Sequence, residues 1–166
     1  MSENILRGAI QKVATGPEFS KNISEEDSYH SMLYILGSDV DSVQAAIYLI
    51  ALRMKRETMD ENIGSLKALI DRSNIITSSV DEVIDIAEPY NGFLRNTPMS
   101  AFLPAVFSSV GLPCVTHGVE TVGPKFGLTI KKILKTAGIN VDQDVESAAS
   151  AISTKNLGWA YIDQEK

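Results

Sequence analysis

His117 has the widest chemical scope of any residue in this sequence. It follows the apolar run Leu112-Pro113-Cys114-Val115 and Thr116, and Gly118 comes directly after it. An imidazole delivered by the end of a buried strand beside a glycine can hold a ligand's polar group or exchange a proton near neutral pH. The same spacing suits a structural histidine hydrogen-bonded to a loop carbonyl, because no paired base or nucleophile adjoins it in the chain. A second candidate is the loop Glu88-Pro89-Tyr90-Asn91-Gly92-Phe93-Leu94-Arg95-Asn96-Thr97-Pro98, with Ser100 just beyond. Its backbone N–H groups, Arg95 and the start of the next helix can together meet an anion. The loop has one glycine, Gly92, where a phosphate cradle usually has several, so a turn closing the sheet edge is the plainer reading. Lys125, after Pro124 and before Gly127, is either a phosphate contact or a solvated loop lysine. His30, between Tyr29 and Ser31, reads as a surface or interface residue. The two histidines are far apart and lack partners at ligand spacing, which argues against zinc, and no metal site is expected.

These residues need a scaffold, and the apolar periodicity supplies one. Ile5, Leu6, Ala9, Ile10 and Val13 recur at helical spacing until Gly16-Pro17 breaks the pattern. Ser24 before Glu25-Glu26-Asp27 caps a second helix, whose stripe is Tyr29, Met32, Leu33 and Leu36 and which Gly37 ends. Ser38 to Asp41 caps a third, with Val43, Ala46, Ile47, Ile50, Ala51 and Met54 facing one way. Thr58 and Glu61 form a capping box for a fourth, through Ile63, Leu66, Leu69 and Ile70. After Ser73 to Ser79 the period changes, and a buried strand is expected near Val83 to Ala87. A helix over Ala101 to Val110 follows the loop, with Pro104 tolerable in its first turn. Leu112 to Val115 forms the next strand, and Leu128 to Ala137 an amphipathic helix with Lys131, Lys132 and Lys135 outside. A helix from Val145 to Thr154 and a strand from Trp159 to Ile162 complete the chain. Trp159 reads as core rather than as a ligand platform.

Composition narrows the function. With 166 residues, 44% hydrophobic, the chain can bury a real core, and its net charge of −6 disfavours wrapping nucleic acid or lying on an anionic membrane. The solvated face of Lys131, Lys132 and Lys135 is too small a basic surface to reverse that. The single cysteine, Cys114, excludes an internal disulfide and fits a reducing compartment. The start Met1-Ser2-Glu3-Asn4 does not resemble a signal peptide, no apolar stretch has the length to span a bilayer, and a cytoplasmic protein is expected.

Two stretches go further than pattern. Ala51-Leu52-Arg53-Met54-Lys55-Arg56-Glu57-Thr58-Met59-Asp60-Glu61-Asn62-Ile63-Gly64 resembles the junction A-L-R-x-K-G-E-T-x-E-E-I-x-G of anthranilate phosphoribosyltransferases, in glycosyltransferase family 3. Val110-Gly111-Leu112-Pro113-Cys114-Val115-Thr116-His117-Gly118, with Lys125, Gly127 and the helix end at Gly138, is similar to that family's A-G-x-x-V-x-K-H-G-N-R segment and its sequel. The resemblance implies an α/β fold with an N-terminal helical bundle. A four-helix subdomain of the dimerisation type would span residues 1–74, and an incomplete, mostly parallel α/β sheet domain residues 75–166. It implies phosphoribosyl transfer from phosphoribosyl pyrophosphate, with Mg2+, to an aromatic or nitrogen acceptor, in tryptophan biosynthesis. His117 and Gly118 would lie on the acceptor side. Asn91, Gly92, Asn96, Thr97 and Ser100 would lie on the phosphate side, with Lys125 nearby. The catalytic residues are not implied by any matching position. The family's G-T-G-G-D loop reads Glu88-Pro89-Tyr90-Asn91-Gly92 here, and the lysine before its histidine is Thr116. The asparagine and arginine after its H-G are Val119 and Glu120. An alternative on the same fold is therefore a non-catalytic binding or assembly module that has lost the phosphate site. An incomplete sheet also exposes edges, so either a fragment of a longer chain or a homo-oligomer through the N-terminal helices is expected.

Overall fold

The computed structural model describes residues 2–16, 18–153 and 158–166. Met1, Pro17 and Thr154, the expected end of the last helix, lie outside them. The chain divides into two compact units, Met1–Ser73 and Asn74–Lys166, and each is taken by itself.

The first unit holds four helices, α1 (Ser2–Val13), α2 (Glu25–Ile35), α3 (Ser42–Lys55) and α4 (Met59–Arg72). Their starts follow from local chemistry. The Ser24 hydroxyl accepts from the Asp27 N–H, the Asp41 carboxylate from the Gln44 N–H, and Thr58 and Glu61 close a reciprocal capping box. The core gathers Leu6, Ala9 and Val13 of α1 with Ile23, Tyr48, Ala51 and Leu52.

The buried faces differ from the expected stripes. On α3 the buried residues are Tyr48, Ala51 and Leu52, while Val43, Ile47, Ile50 and Met54 stand exposed, Met54 by 76%. This helix is apolar nearly all round, so periodicity alone cannot choose its inner face. On α4 the buried residues are Glu61, Gly64 and Ala68, and Leu66, Leu69 and Ile70 are exposed. On α2 Ser28 and Ser31 are buried in place of the larger stripe. Gly64 explains both: a Cβ there would lie 2.3 Å from the Glu25 carbonyl oxygen and 2.8 Å from the Tyr29 nitrogen. The backbones of α2 and α4 touch, and close approach selects small residues for the inside.

The second unit is an α/β layer structure. Strands β1 (Ile84–Ile86), β2 (Cys114–Gly118) and β3 (Trp159–Asp163) form a parallel sheet in the order β1-β2-β3. A 3-10 turn, Met99–Phe102, leads into α5 (Leu103–Ser109), with Pro104 in its first turn. Thr129 caps α6 (Ile130–Thr136), and Asp144 caps α7 (Val145–Ile152). Side chains alternate across the sheet. Tyr161 packs with Ala101, Ile130, Ile133, Leu134 and Val141 on one face, and Ala160 with Ala148 and Ile152 on the other. Strand β2 starts two residues later than expected and continues through His117 and Gly118, because β3 offers Ile162 and Asp163 as partners there. Lys131 also departs from expectation. It is 3% exposed rather than outside, since its ammonium reaches the Asp163 carboxylate at 2.8 Å. Among the described residues no helix is long and apolar enough to cross a membrane.

Candidate functional site

The C-terminal ends of parallel strands are where loops diverge and leave a crevice. Here the loop after β1, the end of β2 and the residue after β3 border a cleft of about 400 Å³, lined by Glu88, Tyr90, Asn91, His117, Gly118 and Gln164 among others. A cavity of about 40 Å³ shares Glu88, Tyr90, His117, Gly118, Val119 and Val122 with it and adds Gly92, Lys131 and Tyr161. A larger groove of about 660 Å³ lies in the first unit, beside His30 and Arg72. There Asp27 is already held by Lys12 at 2.8 Å and no strand end delivers side chains, so the strand-end cleft is the better candidate site.

His117 has a partner that chain order did not reveal. Its Nε2 lies 3.2 Å from Asp85 Oδ1 on β1. Asp85 sits opposite Val115 in the ladder, so His117, two residues on, shares its face as a diagonal neighbour. The readable signal was a lone acid between Ile84 and Ile86 in an apolar strand. Burial, and secondarily the Asp85 carboxylate, push the Cys114 thiol up to about 11, which leaves it protonated and unreactive at neutral pH.

The loop carrying Asn91 and Gly92 is pinned. Gly92 has φ +95°, and a Cβ on it would lie 2.6 Å from the backbone of Gly127. Next to this contact Phe93 and Leu128 exchange both backbone hydrogen bonds, at 2.8 and 2.9 Å. The glycine thus serves a backbone crossing. Ser100 donates to Glu88 Oε2 at 2.9 Å. Of the expected site residues, His117, Gly118 and Asn91 line the cleft and Gly92 the small cavity, whereas Asn96, Thr97 and Lys125 are exposed and line neither. Glu120 reaches Lys135 at 3.2 Å.

Lys131 and Tyr161, which line the small cavity, and Asp163, which holds Lys131, were not expected there. Burial works against the Lys131 ammonium, but hydrogen bonds to Asp163 and Glu165 outweigh it and hold its pKa above the ordinary value. Burial likewise works against the Asp163 carboxylate, and Lys131 outweighs it and draws its pKa down. The only advance signal was the single acid at the end of the apolar strand Trp159 to Ile162.

A four-helix bundle followed by a parallel α/β sheet with a strand-end cleft defines the class of protein. Residues 7–73 match the family described as "Glycosyl transferase family, helical bundle domain". The chain carries that domain, and along most of its length it is anthranilate phosphoribosyltransferase-like. It is 30% identical over 142 residues to the anthranilate phosphoribosyltransferase of Methanothermobacter thermautotrophicus, covering 85% of this chain and 40% of the relative. It is 29% identical over 157 residues to that of Geobacillus kaustophilus, covering 95% and 44%. The crystal structure of the enzyme from Thermus thermophilus superposes with a TM-score of 0.72 at 20% identity, over 97% of this chain and 45% of that one. The chain therefore spans less than half the length of these relatives.

The residues described do not fit the pyrophosphate of phosphoribosyl pyrophosphate. The loop's one glycine is occupied by Gly127, and the loop's charge at the cleft is the Glu88 carboxylate. Lys131 is held by Asp163, and Lys125 lines neither space.

Proposed function

We propose that this chain is a ligand-binding and assembly module on the anthranilate phosphoribosyltransferase-like fold, taking a planar ring of the acceptor type in its strand-end cleft without holding phosphoribosyl pyrophosphate itself. The observation that carries this reading is the convergence of His117, Gly118, Asn91 and Tyr90 on one cleft of about 400 Å³, within the range of small-molecule sites. In the same cleft Glu88 opposes a pyrophosphate. Phosphoribosyl transfer to an aromatic or nitrogen acceptor is the second reading, favoured by the name of the relatives matched over 85–95% of the chain. It requires the phosphate-binding groups to come from outside the described residues. Calorimetry separates the two: the first expects no heat with millimolar phosphoribosyl pyrophosphate and Mg2+, and a saturable signal overturns it. Its positive half is an NMR titration with ring fragments, in which the Gly118 and Asn91 amides shift.

Assembly belongs to the same proposal. Val43, Ile47, Ile50 and Met54 form an exposed apolar stripe on one face of α3, a surface suited to a second copy of the bundle. Light scattering is expected to give a dimer, and Ile50→Glu a monomer; a wild-type monomer refutes the claim. A reducing, cytoplasmic setting fits the free buried thiol of Cys114.

A further inference from the structure

Tyr161 is 1% exposed, yet among the described residues its hydroxyl has no hydrogen-bond partner. Buried polar groups normally find one, and an orphaned donor destabilises the fold. The hydroxyl is aimed at a defined place: a Cβ built on Gly118 would lie 3.1 Å from it, and both residues line the cavity of about 40 Å³. A space of that size admits a water-sized group, such as the exocyclic oxygen of a ring seated in the adjoining cleft.

Three other polar side chains that line the cavity have partners: His117 Nε2 lies 3.2 Å from Asp85 Oδ1, and Thr129 and Lys131 are held within their own unit. Thr129 Oγ1 donates to the Glu120 carbonyl and accepts from the Lys132 N–H, and Lys131 Nζ is spent on Asp163 and Glu165. Burial first, then the carboxylates of Asp163 and Glu165, push the Tyr161 pKa far above its ordinary range. Tyr161 stays an O–H donor at any physiological pH, and its complement is an acceptor. Glu88 lines both spaces and accepts from Ser100 at Oε2; among the described residues Oε1 has no partner and is left to accept an N–H. Tyr90 and Phe93 pack edge to face at 5.4 Å and give the site an aromatic wall.

We propose that the cavity and cleft together form a subsite for a neutral, planar lactam ring. Its carbonyl accepts from the Tyr161 hydroxyl, its neighbouring N–H donates to the Glu88 carboxylate, and its ring lies along Tyr90. The proposal rests on the reading of the cleft as a ring site and specifies the chemistry of the ring. A free carboxylate or phosphate on the ligand would meet Glu88 with no unpaired cation among the described lining side chains, Lys131 being held by Asp163 and His117 by Asp85.

The test is an NMR titration of the whole chain with three probes: 2-pyridone, which carries both groups, N-methyl-2-pyridone, which lacks the donor, and benzoate, an anionic ring. The expected result is that 2-pyridone shifts the Gly118 and Asn91 amides and binds best. Tyr161→Phe and Glu88→Gln each weaken it three- to tenfold, the weight of one hydrogen bond. Tyr161→Phe leaves the melting temperature unchanged or higher, since it removes an unsatisfied hydroxyl. Equal binding of 2-pyridone to Tyr161→Phe overturns the proposal. So does a melting temperature several degrees lower, which means that the fold itself satisfies the hydroxyl. If benzoate shifts the same amides as strongly as 2-pyridone, the ring reading stands and the lactam assignment falls. If no ring shifts them, the ring reading itself falls.

Discussion

Glu61 offers the sharpest quantitative test. It is 1% exposed, and each carboxylate oxygen is used. Oε1 accepts from the Ile23 N–H at 2.9 Å, while Oε2 accepts from the Thr58 N–H at 2.8 Å and from Lys55 Nζ at 2.7 Å. Glu61→Ala orphans two backbone donors and strips Lys55, 6% exposed, of its counter-ion. Breaking such a buried pair costs about 3 to 5 kcal/mol. Lys55 keeps Asn22 Oδ1 at 3.0 Å, which argues for the lower end, about 3 kcal/mol. For a unit of this size that lowers the melting temperature by about 12 to 24 °C. Glu61→Gln keeps the shape and loses the charge, and about 2 kcal/mol is expected from the charged hydrogen bond. Urea melts followed by far-UV circular dichroism measure both, and a loss under about 1 kcal/mol for Glu61→Ala refutes the reasoning. The pH dependence has a definite sign. Burial pushes the Glu61 pKa up, but the hydrogen bonds from Lys55, Thr58 and Ile23 outweigh it, so the folded carboxyl lies below its ordinary 4.5. Its contribution is complete above that pH and is lost as the pH falls through the folded value. The stability gap between wild type and Glu61→Gln must therefore narrow below about pH 4.

Three further perturbations follow from the backbone. Gly64→Ala forces α2 and α4 apart at 2.3 Å from the Glu25 carbonyl and is expected to cost about 3 kcal/mol or more, read as a lower urea midpoint. Arg56 stands where the family motif has glycine and has φ +68°. Arg56→Gly relieves strain of about 1 to 2 kcal/mol, partly offset by chain entropy, so a gain of about 0.5 kcal/mol is expected in the same melt. Gly92→Ala combines φ +95° with a 2.6 Å overlap on Gly127; it should shift the amide resonances of both loops and abolish ring binding, and unchanged spectra refute the packing role.

What the sequence made legible was short in range. Ser24, Asp41 and the Thr58–Glu61 box act within one turn of their own helices, and Pro104 in a first turn obeys a local rule, so each is readable from neighbours alone. The faces of α3 and α4 depended on which helix lies opposite, and Gly64 settled that by letting backbones meet rather than by adding apolar area. His117 was legible as a residue with scope, but Asp85 and the extension of β2 needed the register with β1 and β3. Lys131 looked like its neighbours Lys132 and Lys135, and only Asp163, distant in the chain, sets it apart. The family motif was legible for a structural reason: Lys55, Thr58 and Glu61 are tied together inside the bundle, remote in kind from any ligand.

The crossing of Gly92 over Gly127 has a mechanical consequence. The loop after β1 and the loop after β2 meet there with no side chain between them and are riveted by the paired bonds of Phe93 and Leu128. The two rims of the cleft are one rigid arch rather than two independent flaps. A ligand entering between them cannot push either rim aside without dragging the other. Inheritance is bound in the same way: neither glycine can acquire a side chain unless the other loop is rebuilt in the same step.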